Sequence, residues 1–537
     1  MIGKRSAQRS LYDVGNVFSY SPKAGSFYDQ LALVAPELFR DEDFAEFYSV
    51  SQGRPSAPPS ELALLTLMQF YANLSDEESV ERSACDLRFA TVLRRPAGER
   101  LCAKSTFQQF RAHLILHNKL GLIFERSISQ ARAAGMLPKE LRVAIDTKPI
   151  LGRGAVMDTL NLLASGVRQL GSALAEAEGI ASGTFFAREG LADYLKPSIK
   201  GSQDLDWSNR DARNEFLSAI VADCTRLLNM AGARLAANRD GSDAQSFSDR
   251  RLRDAARLLE QLLLQDVDVV KTAEGGDKAV IRDGVTHGRV PSTTDPEQRH
   301  GRKSASKRFT GAKASVVTDT QSGIILETDV IPGDAPDATG ALPLVEQAEE
   351  NTGAKVVDTL GDCAYGSGET RQAFADAERE LSVRVPDSVG RNGLYAKKHF
   401  DIDTETGRVT CPNNITTIKS HRAKDGGQIF SFGDACRDCP LRSECTTSKD
   451  GRTVHVHPQE ALLQTAKEEQ KRPGWRQHMR ERLGVENSLA RLGHLGIGQA
   501  RYIGHEKTRF QLKISATVAN LRRVWNWVAE EGRLAAA

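Results

Sequence analysis

No apolar run in this chain approaches the ~20 residues needed to cross a bilayer, so nothing in it reads as a membrane span. The opening segment, MIGKRSAQRSLYD, has none of the apolar core that a secretory signal requires. Cysteine is scarce: eight in 537 residues, four of them scattered, which excludes a disulfide scaffold and fits a reducing cytoplasm. Net charge is scarce too. Seventy-two Lys and Arg against 70 Asp and Glu leave a formal +2, so a nucleic-acid surface has to be a local patch rather than a global field. There is neither an internal repeat nor a low-complexity tract.

What is present is a chain of ordinary globular composition, long enough for three or four units. Residues 1–25 are polar and read as a flexible arm. From 26 to 138 the pattern is helical, for example ELALLTLMQFYANL, with Ser75 ahead of Glu77 and Glu78 and Ser105 as helix N-cap candidates. This region reads either as a helical DNA-binding or docking domain or as a packing module. LRVAID (141–146) is a strand with Asp146 at its tip, and residues 158–275 are helix-like, an insertion without a strand pattern. Strand signals return in GAKASVVTDTQSGIILETDVIPG, a hairpin turning at Asp319–Gly323. A helix, a strand ending at Asp362, a helix and a short strand follow. That order suits an α/β fold with a ribonuclease H-like mixed sheet, its core formed by 139–157 and 276–388. A polar, cysteine-bearing insertion (389–457) and a helical section (458–537) complete the chain.

Three acidic residues carry the chemical reading. Asp146 and Asp362 each follow a β-prone run, and Glu486 lies in the helix-prone RERLGVENSLARLG. Converging, they would hold a pair of divalent cations suited to phosphodiester chemistry. Cys411, Cys436, Cys439 and Cys445, arranged as CPNN and CRDCPLRSEC, supply four thiolates suited to a structural Zn2+ that staples a coreless insertion; the alternative is four reduced thiols of a degenerate site. Cys85, Cys102, Cys224 and Cys363 read as small buried hydrophobes. Two basic clusters could grip phosphates: Arg299, Arg302, Lys303, Lys307, Arg308 and Lys313 in one, and in the other Arg482, Arg491 and Arg501, with Trp475 just ahead of the glutamate helix. For Trp475, packing is the competing role; Asp295, followed by Pro296, either caps a turn or sits with the adjacent basic residues at the mouth of the active site, positioning phosphate.

The segments AIDTKPILGRGAVMDT, VPSTTDPEQRHGRKSASKRFTGAKASVVTD, VIPGDAPDATGALPLVEQ, LGDCAYGS and RERLGVENSLARLGHLGIGQARYIGHEKTRFQLKISATVANLRRV occur in an order that resembles DDE-type bacterial insertion-sequence transposases, over roughly residues 30–525. The resemblance implies that Asp146, Asp362 and Glu486 are the metal-binding triad, holding two Mg2+ or Mn2+. It also implies that double-stranded DNA, the element's terminal inverted repeats and the target, is the partner. The further implications are a homodimer or higher assembly in the synaptic complex and a place at the nucleoid in a bacterial cytoplasm. Related families set the glutamate in a tyrosine, arginine, glutamate, lysine pattern. Here Arg482 stands four before Glu486 as expected, but Met479 and Gly493 occupy the tyrosine and lysine positions, and Glu481 is the fallback carboxylate. Two rivals remain: a nuclease of the same fold that never joins strands, and a non-catalytic DNA-binding descendant.

Overall fold

The computed structural model describes residues 1–6, 11–237, 247–271, 276–284, 286–304 and 306–536; parts of the expected arm (7–10) and of the helical insertion (238–246 and 272–275) lie outside the described residues. The central sheet is mixed and six-stranded. Its strands are β1 Glu140–Leu151, β2 Arg299–Arg302, β3 Arg308–Asp319, β4 Ile325–Pro332, β5 Lys355–Gly361 and β6 Leu381–Val383, in the order β2-β3-β1-β5-β6, with β4 also on β3. β3 runs antiparallel to β1 from Val143↔Asp319 to Leu151↔Gly311. β5 runs parallel to β1, but only from Glu140↔Lys355 to Ala144↔Leu360. β2 and β4 lie end to end along the far edge of β3.

β1 is longer than its sequence suggests. Asp146 is not at a strand tip but near the middle of twelve residues. Pro149 looks like a strand breaker, yet it costs no ladder bond. Leu151 donates to Gly498 O at 3.0 Å on the side away from β3, and the two-residue period puts the nitrogen of Pro149 on that same side, past the end of β5. The hairpin turn is built as the sequence suggests: Asp319 Oδ2 accepts from Ser322 N (2.7 Å) and Ser322 Oγ (2.6 Å), and Gly323 sits at φ +69°.

The amino-terminal helices share their core with the sheet. In α1 (Pro59–Tyr71), opened by a proline in its first turn, every residue from Pro59 to Phe70 is buried. One continuous cluster runs from Phe27 through Leu62–Phe70 and Phe124 to Ala144, Val316, Val485, Leu489 and Phe510. It joins α1 and α2 (Leu120–Ala133) to one face of the sheet and to the carboxy-terminal helices. Residues expected in the arm are also held: Gly3 N donates to Ser56 Oγ (3.0 Å) and Arg5 N to Asp41 Oδ2 (2.7 Å). Ser75 and Glu78 form a reciprocal capping box, whereas Ser105 lies inside a helix capped by Ala103.

The insertion carries α3 (Thr159–Glu178), α4 (Arg210–Ala237) and α5 (Phe247–Asp266) around a separate apolar cluster. It also has a two-stranded hairpin, Val267–Lys271 with Asp277–Ile281, which the helical pattern did not announce. The second face of the sheet is covered by α6 (Ala341–Thr352). Past β6, two small three-stranded sheets occupy 401–456. α7 (Leu483–His494) and α8 (His505–Ala536) then return to the first face. Among the described residues, no helix is long and apolar enough to cross a membrane.

Candidate active site

β1 outlasts β5, and this difference in length makes the site. Continuing the β1–β5 register two residues past Ala144↔Leu360 sets Asp362 beside Asp146. Asp146 shares its face of β1 with Lys148 and Ile150, and α7 packs on that face. Asp146 Oδ1 accepts from Thr147 N at 2.8 Å, and Asp362 Oδ1 accepts from Ala364 N at 2.8 Å, so neither carboxylate is free to turn away. Arg482 joins the third acid to the first: Nη1 lies 3.3 Å from Asp146 Oδ2 and Nη2 lies 2.6 Å from Glu486 Oε1. Burial pushes the Asp146 carboxyl up to about 6; the Thr147 amide opposes this, the charge on Asp362 adds to it, Arg482 lowers it and Glu486 raises it.

Asp146 and Glu486 thus share one guanidinium, and Asp362 lies beside Asp146. Among the described residues, no group of three or more His, Cys, Asp or Glu is arranged as a metal site. The donor set nevertheless suits hard divalent cations, which take a few carboxylates and complete their shells with water and substrate oxygens. Arg482 supplies positive charge between Asp146 and Glu486. Glu481 points elsewhere: both its oxygens accept from Arg142 Nη1, at 2.8 and 3.1 Å.

Lys148 carries no signal of its own in the sequence, yet it belongs to the site. Its Nζ lies 3.3 Å from Leu489 O on α7, and a Cβ added to Gly493 would meet that nitrogen at 2.9 Å. The glycine at the expected lysine position therefore leaves room for a lysine from the strand. Burial, then the charge on Lys303, lowers the pKa of Lys148. The one available hint was the two-residue spacing from Asp146.

Of the expected DNA contacts, Arg302, Lys303, Lys307 and Arg308 are exposed where β2 turns into β3. Arg299 is held by Pro296 O (2.5 Å) and Gln298 O (2.8 Å). Lys313 is buried, donating to Asp337 Oδ1 at 2.7 Å and Ala335 O at 2.6 Å. Arg501 donates to Leu74 O and lies 4.9 Å from the Phe70 ring, pinning the carboxy-terminal section to the amino-terminal helices. Arg491 donates to Gly323 O, away from the carboxylates. Trp475 is half-buried, its ring 6.2 Å from that of His478. Asp295 is buried, which raises its carboxyl, and it lines a cleft between α3, α5 and the start of α8 rather than the carboxylate site.

Cys411, Cys436, Cys439 and Cys445 line one cavity of about 20 Å3. Arg452 N lies 3.4 Å from Cys436 Sγ. Burial, with the charges of the other three sulfurs adding to it, raises the Cys445 thiol. Four thiols facing one small cavity have the donor chemistry of a zinc site, although the sulfurs are not drawn into a coordination shell. Of the other cysteines, Cys224 alone is buried; Cys102 is intermediate, and Cys85 and Cys363 are exposed, contrary to expectation.

The chain is a mixed α/β protein in which Asp146 on β1, Asp362 just past β5 and Glu486 on α7 lie near one another. Two family models match it: a "Transposase DDE domain" over residues 410–525 and a "Transposase domain (DUF772)" over residues 16–113. Both are transposase families, and together they support an insertion-sequence DDE transposase. No curated protein matches the chain.

Proposed function

We propose that the protein is a DNA transposase that binds the terminal inverted repeats of its element, cleaves DNA there and transfers the freed strand to target DNA. What carries this reading is Asp362 set beside Asp146 by the β1–β5 register, with Arg482 bridging Asp146 to Glu486. The strand order supports a ribonuclease H-like core: apart from the short β2, three antiparallel strands (β1, β3, β4) are followed by two parallel to the first (β5, β6), with Asp146 on β1 and Asp362 just past the end of β5.

Asp146, Asp362 and Glu486 would hold two Mg2+ or Mn2+, which supply charge stabilisation at the attacking and leaving oxygens of an in-line displacement. The protein does the rest by position. Asp146 and Asp362 are clamped by the amides of Thr147 and Ala364, so their lone pairs face the site before substrate arrives. Lys148, on the same face, is placed to contact a phosphate oxygen beside the carboxylates, where a helix-borne lysine is missing. The exposed Arg302, Lys303, Lys307 and Arg308 extend the positive surface to the flanking backbone. Cys411, Cys436, Cys439 and Cys445 would hold a structural Zn2+, closing the small fold of 389–457. Two element ends have to be brought together for joining, so the working form is a homodimer or larger.

The test is a cleavage and joining assay on DNA carrying the ends of the element, with Mg2+ or Mn2+. Joined product supports transposition, and cut product without joining favours the nuclease reading. Absence of both, with DNA still bound, favours a non-catalytic descendant.

A further inference from the structure

α7 has a second working face. At about 100° per residue from Glu486, Asn487, Arg491 and His494 fall together on a neighbouring side of the helix. They open onto a cleft of about 840 Å3 bounded by the β3–β4 turn and α8. Arg480, Arg491, Arg522 and Arg523 line it, and the one carboxylate among the described lining residues, Glu481, is already bonded to Arg142 at 2.8 Å.

Three of these arginines, Arg491, Arg522 and Arg523, are oriented by groups that do not neutralise them. Arg491 donates to Gly323 O and to Ser488 Oγ (2.7 Å), and its buried Nε has no partner. Arg523 Nε donates to Ser322 O at 2.9 Å, and its guanidinium lies 5.8 Å from the Trp527 ring. Arg522 lies 5.5 Å from the Tyr71 ring. Carbonyls and aromatic faces orient a guanidinium without satisfying its charge. Burial and then the charges of Arg523 and Arg522 bring the pKa of Arg491 down to about 10, with no acid opposing them. Fixed, uncompensated guanidinium forks match the oxygens of phosphodiesters.

We propose that this cleft binds the phosphodiester backbone of DNA passing from the carboxylate site around α7, with Arg522 and Arg523 each contacting a phosphate and Arg491 setting the turn beneath them. The proposal rests on the DNA-processing reading above, but its test does not depend on catalysis. The full chain in EDTA is titrated with a labelled duplex of arbitrary sequence at a series of KCl concentrations. In Arg522→Ala/Arg523→Ala, the slope of log K against log salt becomes shallower by about 1.8, roughly 0.9 for each phosphate that is no longer neutralised. Arg522→Lys/Arg523→Lys keeps the slope. Should the double alanine variant fail to fold by circular dichroism, Arg522→Glu alone, at an exposed position, gives the same readout. An unchanged slope in a folded variant overturns the proposal. So does protection of the cleft by inorganic phosphate while the DNA slope stays the same, which assigns it to free anions. A normal slope in a wild-type protein that never cleaves DNA counts against the functional reading and leaves this site standing.

Discussion

Arg482 Nη1 lies 3.3 Å from Asp146 Oδ2, and the same guanidinium reaches Glu486 Oε1 at 2.6 Å. A strand carboxylate and a helix carboxylate are thus held together by a cation that belongs to the chain. Divalent ions held by these acids, as proposed above, would compete with that guanidinium. Arg482→Ala is therefore expected to bind Mn2+ several-fold more tightly by calorimetry while cutting DNA more slowly. Unchanged Mn2+ affinity would show that Arg482 and the ions do not share the acids.

Asp146→Asn separates chemistry from folding. Burial raises the carboxyl from the usual 3.8 to about 6, so the folded chain holds this proton more firmly than the unfolded one. The stability this brings is complete below pH ~4 and lost as pH rises through about 6, leaving ionised Asp146 a burden at neutral pH. Asparagine removes that burden. In EDTA at pH 7.5 the variant should be more stable by up to roughly 3 kcal/mol, yet inactive with Mg2+ or Mn2+. Full activity in the variant would refute the assignment of Asp146.

Lys148 and Gly493 are predicted to act as a pair. Gly493→Ala raises helix propensity by up to about 1 kcal/mol, and its Cβ would stand 2.9 Å from Lys148 Nζ, the movable end of a flexible side chain. Stability should hold or rise while cleavage falls, and Lys148→Ala should lower cleavage further. If Gly493→Ala left the kinetics of a Lys148→Ala protein worse by the same factor as those of wild type, the two positions would be independent.

The strand aspartates were legible because an apolar β-prone run ending in an acid is a local pattern. Their adjacency was not: it follows from the Ala144↔Leu360 register across more than 200 residues of chain. Lys148 escaped for the same reason, since its value depends on an empty position on a helix far along the sequence. Lys313 and Arg501 show the converse. Each reads as part of a basic cluster, but its partner, Asp337 for one and Leu74 O for the other, appears only on folding. The all-round apolarity of ELALLTLMQF did carry a usable signal that α1 is buried inside a larger core rather than on a separate module.

The cysteine cluster makes a prediction readable without DNA. Zinc analysis of protein purified without chelator should give about one ion per chain, and Cys436→Ser should abolish it. With the staple gone, protease should cut within 389–457 before it attacks the main core. Zinc-free protein with an equally resistant 389–457 segment would mean the four thiols pack without metal.

The seam between the two family-matched regions should fail first in acid. Arg111 grips both oxygens of Asp76, at 2.6 Å for Oδ2, and its guanidinium lies 5.7 Å from the ring of Tyr502. Burial alone would raise the Asp76 carboxyl. Hydrogen bonds from Arg111 and Gln108, the Arg111 charge and a bond from Gln69 outweigh it and hold the group well below the usual range. A depressed acid stabilises the fold above its unfolded value near pH 4, and that contribution drains away as pH falls toward the folded value. Asp76→Asn should cost roughly 3 kcal/mol at pH 7, since it leaves Arg111 buried without its counter-charge. Its denaturant midpoint should then change less than that of wild type between pH 4 and pH 2. Equal acid sensitivity in the two proteins would remove the Asp76–Arg111 pair as the source of acid sensitivity at this seam.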